Sequence, residues 1–503
     1  MQNEETKAPR LTAETVFTSS FFIQRCVFVL IALLALAVRL PQLGERPMHT
    51  DETVNAYITG ELLAGEPYHY DPQDRHGPAL YILAKPIARL CGANNFSELT
   101  ETQLRLSTVI IGSITVLLFG AAVEMFGFIP CLVAALLFAI GPLPVYYSRY
   151  FIHETMFVAA TLGLILTGWR AWRKNSLWSS VLAGCCAGLM LACKETAAIH
   201  FVALGVAVLI GWRFQTAGKI PPARVWLATT TAFIFMSVLL FTWGGQNWSA
   251  LADLFRAVPN FAARAGGQGH EKPFGYYFVI LDPLFVFFVV ATAGIYAVIC
   301  DVFAGRRTSG LVLAIYALLI FLIYSAIPYK TPWLALNLWL PLALLCGLGV
   351  EGVWQQFPSA TGRWVTAIVT AALLLVAGEE TKTLAFDHPA DEQNPLAYAH
   401  TTEDILGLPL RLKEICRERN LIQPRIAVVA KDAWPLPWYL RKFSQVGFWQ
   451  PGQETGPADF YITASDVPGK LAEQLKDFRP EFFGVRPNVL VILWVPPTTP
   501  AAP

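Results

Sequence analysis

Residues 106–123 read LSTVIIGSITVLLFGAAV, with no charged side chain among them. A helix crossing a hydrocarbon core needs about 20 mainly apolar residues. A soluble protein would bury so apolar a run only in the centre of a large core. This stretch does not stand alone. Segments of the same kind fall near 26–40, 128–145, 155–169, 177–193, 198–212, 225–243, 278–300, 311–327, 333–350 and 364–378. The chain therefore reads as a polytopic α-helical membrane protein with about eleven transmembrane helices.

The composition agrees. Of 503 residues, 55% are apolar and 15% charged, against about 25% charged in soluble domains. Mean hydropathy is +0.47. Such a surplus exceeds what a single soluble core absorbs, and it excludes a disordered chain. A net charge of +1, from 37 basic and 36 acidic residues, argues against nucleic acid as a partner.

The placement of the few charges sets sidedness. Lys7, Arg10 and Arg25 precede the first span; Arg170, Arg173 and Lys174 follow the fourth. Arg213, Lys219 and Arg224 follow the sixth, Arg306 and Arg307 the eighth, and Arg363 precedes the eleventh. Under the positive-inside rule these are cytoplasmic. Residues 1–25 are then a cytoplasmic N-terminus and 26–378 the membrane domain. The loops 41–105 and 244–277 face outward, with the turns 146–154, 194–197 and 328–332. Residues 379–503 form an extracytoplasmic domain of a multi-pass protein of the cell membrane. Ala35-Leu-Ala37 has the small-residue spacing of a signal-peptidase site, but Arg39 follows at once, which favours a retained anchor. Seven of the nine cysteines sit in or at spans. Cys91 and Cys416 lie outside them and are the one pair open to a bridge.

The outward segments carry the remaining polar chemistry. Thr50–Gly65 has Val54, Tyr57, Ile58 and Leu62 at helical spacing, so it reads as an interfacial amphipathic helix with Thr50 or Asp51 as N-cap. Asp51 is equally a cap by pattern alone, and Glu52 a first-turn acid. Residues 79–90 form a second amphipathic piece with Lys85 and Arg89 among its apolar residues. Those cations either snorkel or bind phosphate. The turn Tyr146-Tyr-Ser-Arg-Tyr-Phe-Ile-His-Glu154 sets Arg149 and Glu154 beside a span end, as an ion pair or as functional groups. Lys194-Glu195 and Tyr329-Lys-Thr-Pro-Trp333 repeat single cations in outer turns. That recurrence suggests a shared anionic ligand. The loop Gly266-Gly-Gln-Gly-His-Glu-Lys-Pro273 offers His270 and Glu271 as candidate metal ligands, or is simply a glycine-rich loop. There is no P-loop, dinucleotide-binding GxGxxG in a βαβ context, HExxH or GxSxG motif.

After residue 378 the pattern changes to short β-rich runs at 425–430, 446–449, 460–463 and 489–495, with helices at 405–420 and 467–478. This is a small α/β domain. Its Trp434-Pro-Leu-Pro-Trp-Tyr439 cluster is suited to stacking on a sugar or to packing.

Taken in order, these elements resemble the GT-C superfamily of membrane glycosyltransferases. The branch is that of protein O-mannosyltransferases and aminoarabinose transferases (glycosyltransferase 39 and RgtA/B/C/D-like proteins). The chain is more similar still to a prokaryotic subgroup of glycosyltransferases labelled flippase-associated. The resemblance rests on His49-Thr-Asp-Glu52, Tyr70-Asp-Pro72 with His76-Gly-Pro78, and Ser148-Arg-Tyr-Phe-Ile-His-Glu154. It rests also on Lys194-Glu195, Tyr329-Lys-Thr-Pro-Trp-Leu334 and Trp434-Pro-Leu-Pro-Trp-Tyr-Leu440.

The resemblance implies a polyprenyl-phosphate sugar donor delivered in the membrane and an acceptor (protein, lipid or glycan) on the outer side. It implies Asp51 as general base with inversion at the sugar carbon, Glu52 as its backup, and Glu154 as the second outer acidic position, which orients the acceptor or binds metal. Lys85, Arg149, Lys194 and Lys330 are candidate phosphate ligands. Asp51, Glu154, His270 and Glu271 are a candidate set for a divalent Mg, Mn or Zn ion. Here a lone Glu154 follows His153 where relatives carry an acidic pair, which leaves metal dependence open. Two other classes compete: a lipid flippase or transporter without chemistry, and a non-catalytic scaffold. The chain has no internal repeat, and its charges gather at the span ends, which favours the enzyme.

Overall fold

In the computed structural model, residues 13–73, 75–214, 220–267, 269–281, 286–305, 308–467 and 469–497 are described. Lys7, Arg10, Lys219, Arg306 and Arg307 of the sidedness argument lie outside them, as does Gln268 of the glycine-rich loop.

The chain opens with α1 (Ala13–Arg39), followed by two loop helices, α2 (Thr50–Ala64) and α3 (Ala79–Leu90). A bundle follows: α4 (Glu101–Phe126), α5 (Phe128–Ile140), α6 (Pro142–Ser148), α7 (Glu154–Lys174), α8 (Leu177–Cys193), α9 (Ala197–Arg213) and α10 (Ala223–Phe241). After the loop helix α11 (Ala250–Arg264) come α12 (Tyr276–Leu281), α13 (Val286–Phe303), α14 (Ser309–Ala326), α15 (Ala335–Gln356) and α16 (Ala360–Lys382). The apolar segments read from the sequence fall on these helices; 128–145 is divided between α5 and α6, and 278–300 between α12 and α13, with residues 282–285 outside those described. By length and apolarity, six described helices suffice to cross a membrane alone, or seven if α5 and α6 are one span bent by 52°. The bend has a local cause: Gly141 leaves the helical region and Pro142 restarts a helix as its first residue. Helices α8 and α9 are shorter apolar helices of 17 residues. Apolar residues such as Trp364 and Leu375 of α16 point outward and exposed, as expected of a surface whose solvent is hydrocarbon.

The loops 41–105, 149–153, 194–196, 244–275 and 327–334 gather at one end of the bundle. Arg46 donates to the Arg149 carbonyl, Asn260 to the Pro72 carbonyl, and the Lys330 N–H to the His270 carbonyl. This is the grouping that the charge pattern assigned to one side.

The domain after α16 also packs at that end. It holds α17 (Gly407–Glu418), α18 (Leu436–Leu440), α19 (Gly469–Leu475) and five strands: β1 (Arg425–Val429), β2 (Gln445–Trp449), β3 (Phe460–Thr463), β4 (Arg479–Arg486) and β5 (Val489–Val495). The sheet order is β2-β1-β3-β5-β4. Strand β1 is parallel to both β2 and β3, and β5 is antiparallel to β3 and β4. Strand β4 went unread in the sequence. Its RPEFFGVR run carries a proline and a bulge between Gly484 and Arg486, and both blur strict alternation.

Candidate active site

The Asp51-Glu52 pair stands at the start of α2, and the helix cap decides the fate of each residue. The N-cap is His49, not Thr50 or Asp51 as the sequence suggested. Its Nδ1 accepts the Asp51 N–H at 3.0 Å, and Glu52 accepts the His49 N–H at 3.1 Å. This is a reciprocal capping box with imidazole in place of the usual hydroxyl. It turns Glu52 into the protein and leaves Asp51 exposed. The helix itself has eight buried residues, Glu52 among them, so it is packed within the loop layer and does not float at an interface as the sequence reading had it.

Glu52 is fully buried. Arg105, at the start of α4, donates Nε to Oε1 and Nη2 to Oε2, each at 2.8 Å. The Phe151 N–H adds a bond to Oε1 at 2.9 Å. Burial by itself would raise this carboxyl pKa, but the Arg105 guanidinium and the Phe151 N–H outweigh it, and the group is held below its usual range. With both oxygens engaged, Glu52 has no lone pair placed for an incoming acceptor. It joins the first loop to α4 and to the Arg149–His153 turn.

Asp51 faces a different company. His49 Nδ1 lies 4.0 Å from its Oδ2. Its charge acts on His270, Tyr329 and Tyr150. His270 is hydrogen-bonded through Nδ1 to the Tyr398 hydroxyl at 2.7 Å, and its ring lies 4.8 Å from that of Tyr329. Tyr329 also feels Glu154 and Arg264. Burial, with the Asp51 charge added, pushes the Tyr329 phenol up to about 12. In the sequence Tyr329 stood out only as part of the Tyr329–Trp333 motif, without a role of its own, and Tyr398 did not stand out. Interfacial tyrosines are common, and only the tertiary fold distinguishes these two.

The four candidate phosphate ligands are dispersed. Arg149 does not face the site. Its guanidinium donates to the carbonyls of Arg39, Pro41 and Gln42 and lies 4.2 Å over the Phe386 ring. It caps the end of α1, where a cation meets the last carbonyls and the negative dipole end. Lys85 lies 6.0 Å over the Trp243 ring. Lys194 is buried and ion-paired with buried Glu154, so those two neutralise each other. Lys330 donates to the carbonyls of Lys272 and Ile327. That leaves one of its three protons uncommitted by those bonds.

The candidate metal set is not assembled. Glu271 folds back on its own loop, accepting the Gly269 N–H at 3.1 Å. Gly267, at φ +121°, permits this: a Cβ there would lie 2.3 Å from Glu271 Oε1. Glu154 is occupied by Lys194. Among the described residues, no three His, Cys, Asp or Glu side chains converge in a group able to hold a metal ion. Cys91 is exposed, Cys416 buried, and both are free.

A further polar set lies in the first loop. Glu195 accepts from the Tyr70 hydroxyl at 2.8 Å and is bonded to His76 Nδ1 at 3.0 Å. The Trp434–Tyr439 cluster divides in two. Trp438 is buried, donates to Glu101 at 2.8 Å and packs under Arg441. Trp434 remains partly exposed, its ring 6.1 Å from that of Tyr57.

Residues 76–241 match the family model described as dolichyl-phosphate-mannose-protein mannosyltransferase. No curated protein matches the chain. Among solved structures, ArnT from Cupriavidus metallidurans bound to undecaprenyl phosphate superposes with a TM-score of 0.60 at 14% identity, over 92% of this chain and 97% of that one. AglB, the oligosaccharyltransferase of Archaeoglobus fulgidus, in complex with an inhibitory peptide and a dolichol-phosphate, gives 0.56 at 13% identity, over 92% of this chain and 74% of that one. The same oligosaccharyltransferase in complex with Zn and sulfate gives 0.53 at 13% identity, over 92% and 73%. At these identities the superpositions speak for the fold, and the family model speaks for the segment that holds Glu154 and Lys194. The chain thus shares the fold of these membrane enzymes, and its residues 76–241 are similar to the mannosyltransferase family.

Proposed function

We propose that this protein moves a sugar from a polyprenyl-phosphate carrier to an acceptor hydroxyl or amine on the outer face of the membrane, with inversion, and that Asp51 is the general base. The observation that carries the reading is the asymmetry at the head of α2. Glu52 and Glu154 are buried against cations, while the carboxylate of Asp51, next to Glu52 in the chain, is exposed.

In the reaction, the acceptor oxygen or nitrogen bonds to the anomeric carbon as the bond from that carbon to the phosphate oxygen breaks. Asp51 takes the acceptor's proton, and polyprenyl phosphate leaves as an anion. A phosphate is a good leaving group, so it needs charge stabilisation more than protonation. The uncommitted proton of Lys330 and the ammonium of Lys85 are the cations suited to it. The positive-inside pattern supports placing this end of the bundle outside.

The test uses purified protein in lipid nanodiscs with a radiolabelled polyprenyl-phosphate sugar and a crude envelope extract as acceptor. Transfer is expected with wild type and lost by about 10²–10⁴-fold in Asp51→Asn. Undiminished transfer in that variant overturns the base. Lipid scrambling without transfer overturns the enzyme in favour of a flippase.

A further inference from the structure

The exposed residues of α2 form one stripe. Asp51 and Tyr57 are exposed, and Val54, Ile58 and Glu61 between and beyond them are partly so, whereas the intervening positions are buried. From Asp51 to Tyr57 the stripe runs about 9 Å along the helix. The C-terminal domain walls it. Trp434 meets Tyr57 edge to face at 6.1 Å. The Trp434 N–H donates to Asp432 Oδ1 at 3.1 Å, and Asp432 Oδ2 accepts from Arg486 Nη2 at 3.1 Å. Arg486 lies near enough for its charge to act on His49, the residue that caps Asp51. Its Nε is buried without a hydrogen-bond partner. The shelf thus joins Arg486, Asp432 and Trp434 and meets α2 at Tyr57, on the stripe that carries Asp51.

We infer that this shelf is the acceptor subsite and that the acceptor is a saccharide. The inference rests on the glycosyl-transfer reading above. An aromatic face flanked by a hydrogen-bonded carboxylate–guanidinium pair suits a sugar ring. The C–H face of a pyranose lies against the electron-rich indole, and its hydroxyls find an acceptor in Asp432 and donors in Arg486. A peptide would call for paired backbone groups, and a lipid acceptor for an apolar slot; the shelf offers neither at Asp432 and Arg486. The contrast within one cluster supports the assignment: Trp438 is buried and hydrogen-bonded, while Trp434, four residues earlier, is left partly open beside the stripe.

The experiment is saturation-transfer NMR on the full chain in nanodiscs. The probe is an oligosaccharide pool released from cell-envelope polysaccharide by mild acid. Saccharide signals are expected with wild type and with Asp51→Asn, and are expected to fall at least fivefold in Trp434→Ala and in Arg486→Gln. Trp434→Phe keeps an aromatic face and is expected to bind within about twofold of wild type; if Trp434→Ala does not insert, Arg486→Gln carries the expected loss. Equal signals in all variants, or none in wild type, overturn the inference. A parallel transfer assay with labelled donor separates the two readings. Transfer to peptide or lipid that is unaffected at Trp434 and Arg486 sinks the saccharide subsite and leaves glycosyl transfer standing. Saccharide binding with no donor consumption by any acceptor sinks the transfer and leaves the subsite standing.

Discussion

Arg105 engages both oxygens of Glu52 at 2.8 Å inside the protein, so two consecutive carboxylates of one helix turn have opposite fates. Removing one partner of a buried pair strands the other charge, at about 3–5 kcal/mol. Glu52→Gln is therefore expected to lower stability by that amount, read as a drop in the unfolding midpoint in detergent. Asp51→Asn, at an exposed site, is expected to shift stability by no more than about 0.5 kcal/mol while abolishing transfer. If the two variants lose stability equally, the division of labour between them is wrong.

Lys194 and Glu154 form the second buried pair. Lys194→Met alone leaves Glu154 uncompensated and is expected to destabilise by about 3–5 kcal/mol. The double variant Lys194→Met, Glu154→Leu is expected to recover most of that loss, because neighbours in one pair are not additive. Full transfer by the recovered double variant would limit the pair to a structural part. Lost transfer at restored stability would give Glu154 the acceptor-orienting part expected from the sequence.

His49 and His400 stack at 5.6 Å where the C-terminal domain meets α2. Burial lowers the pKa of both imidazoles; the nearby carboxylates oppose it at His49, while Arg46 deepens it at His400. A histidine with a depressed pKa binds fewer protons folded than unfolded, so stability rises with pH between the two values. The contribution is complete above the unfolded value of about 6.5 and is lost as pH falls from there towards the folded values. Unfolding midpoints should fall between pH 7 and pH 5. His400→Phe, which keeps a stacking ring, should flatten the slope; an unchanged slope would assign it to other groups.

Trp438 is completely buried and ties α18 to Glu101 at the head of α4. Trp438→Ala is expected to cost about 3–5 kcal/mol and to expose the domain boundary to limited proteolysis. A variant as protease-resistant as wild type would show that other contacts hold the domain in place.

The membrane bundle was legible because its determinants are local. Long apolar runs, capped by residues such as Thr100 and Ser176, announce helices without reference to partners. The small α/β domain was legible for the same reason, except β4. The site was legible only in outline. Asp51, Glu154, His270 and Lys330 do sit at one end of the bundle, since span sidedness dictates that. Which cation meets which carbonyl or carboxylate is a matter of tertiary neighbours up to hundreds of residues apart, and periodicity carries no trace of it. One signal was available and passed over: Arg105 opens an apolar span, where an arginine calls for a carboxylate partner, and Glu101, one turn earlier on the same helix, and Glu52, in the nearest loop, were the candidates.

The Met48 backbone, two residues before the N-terminus of α2, is held by Thr401 at 2.8 Å and by Tyr439 at 2.9 Å, across 353 and 391 positions of sequence. This gives the protein a built-in order of birth. A nascent chain can insert its bundle helix by helix and clamp α2 through Glu52 once Arg105 and Phe151 are made, but the head of α2 is gripped from the other side only after the distal domain has been made and has folded back on it. A ribosome-bound or prematurely ended chain thus carries α2 with one of its two anchors missing.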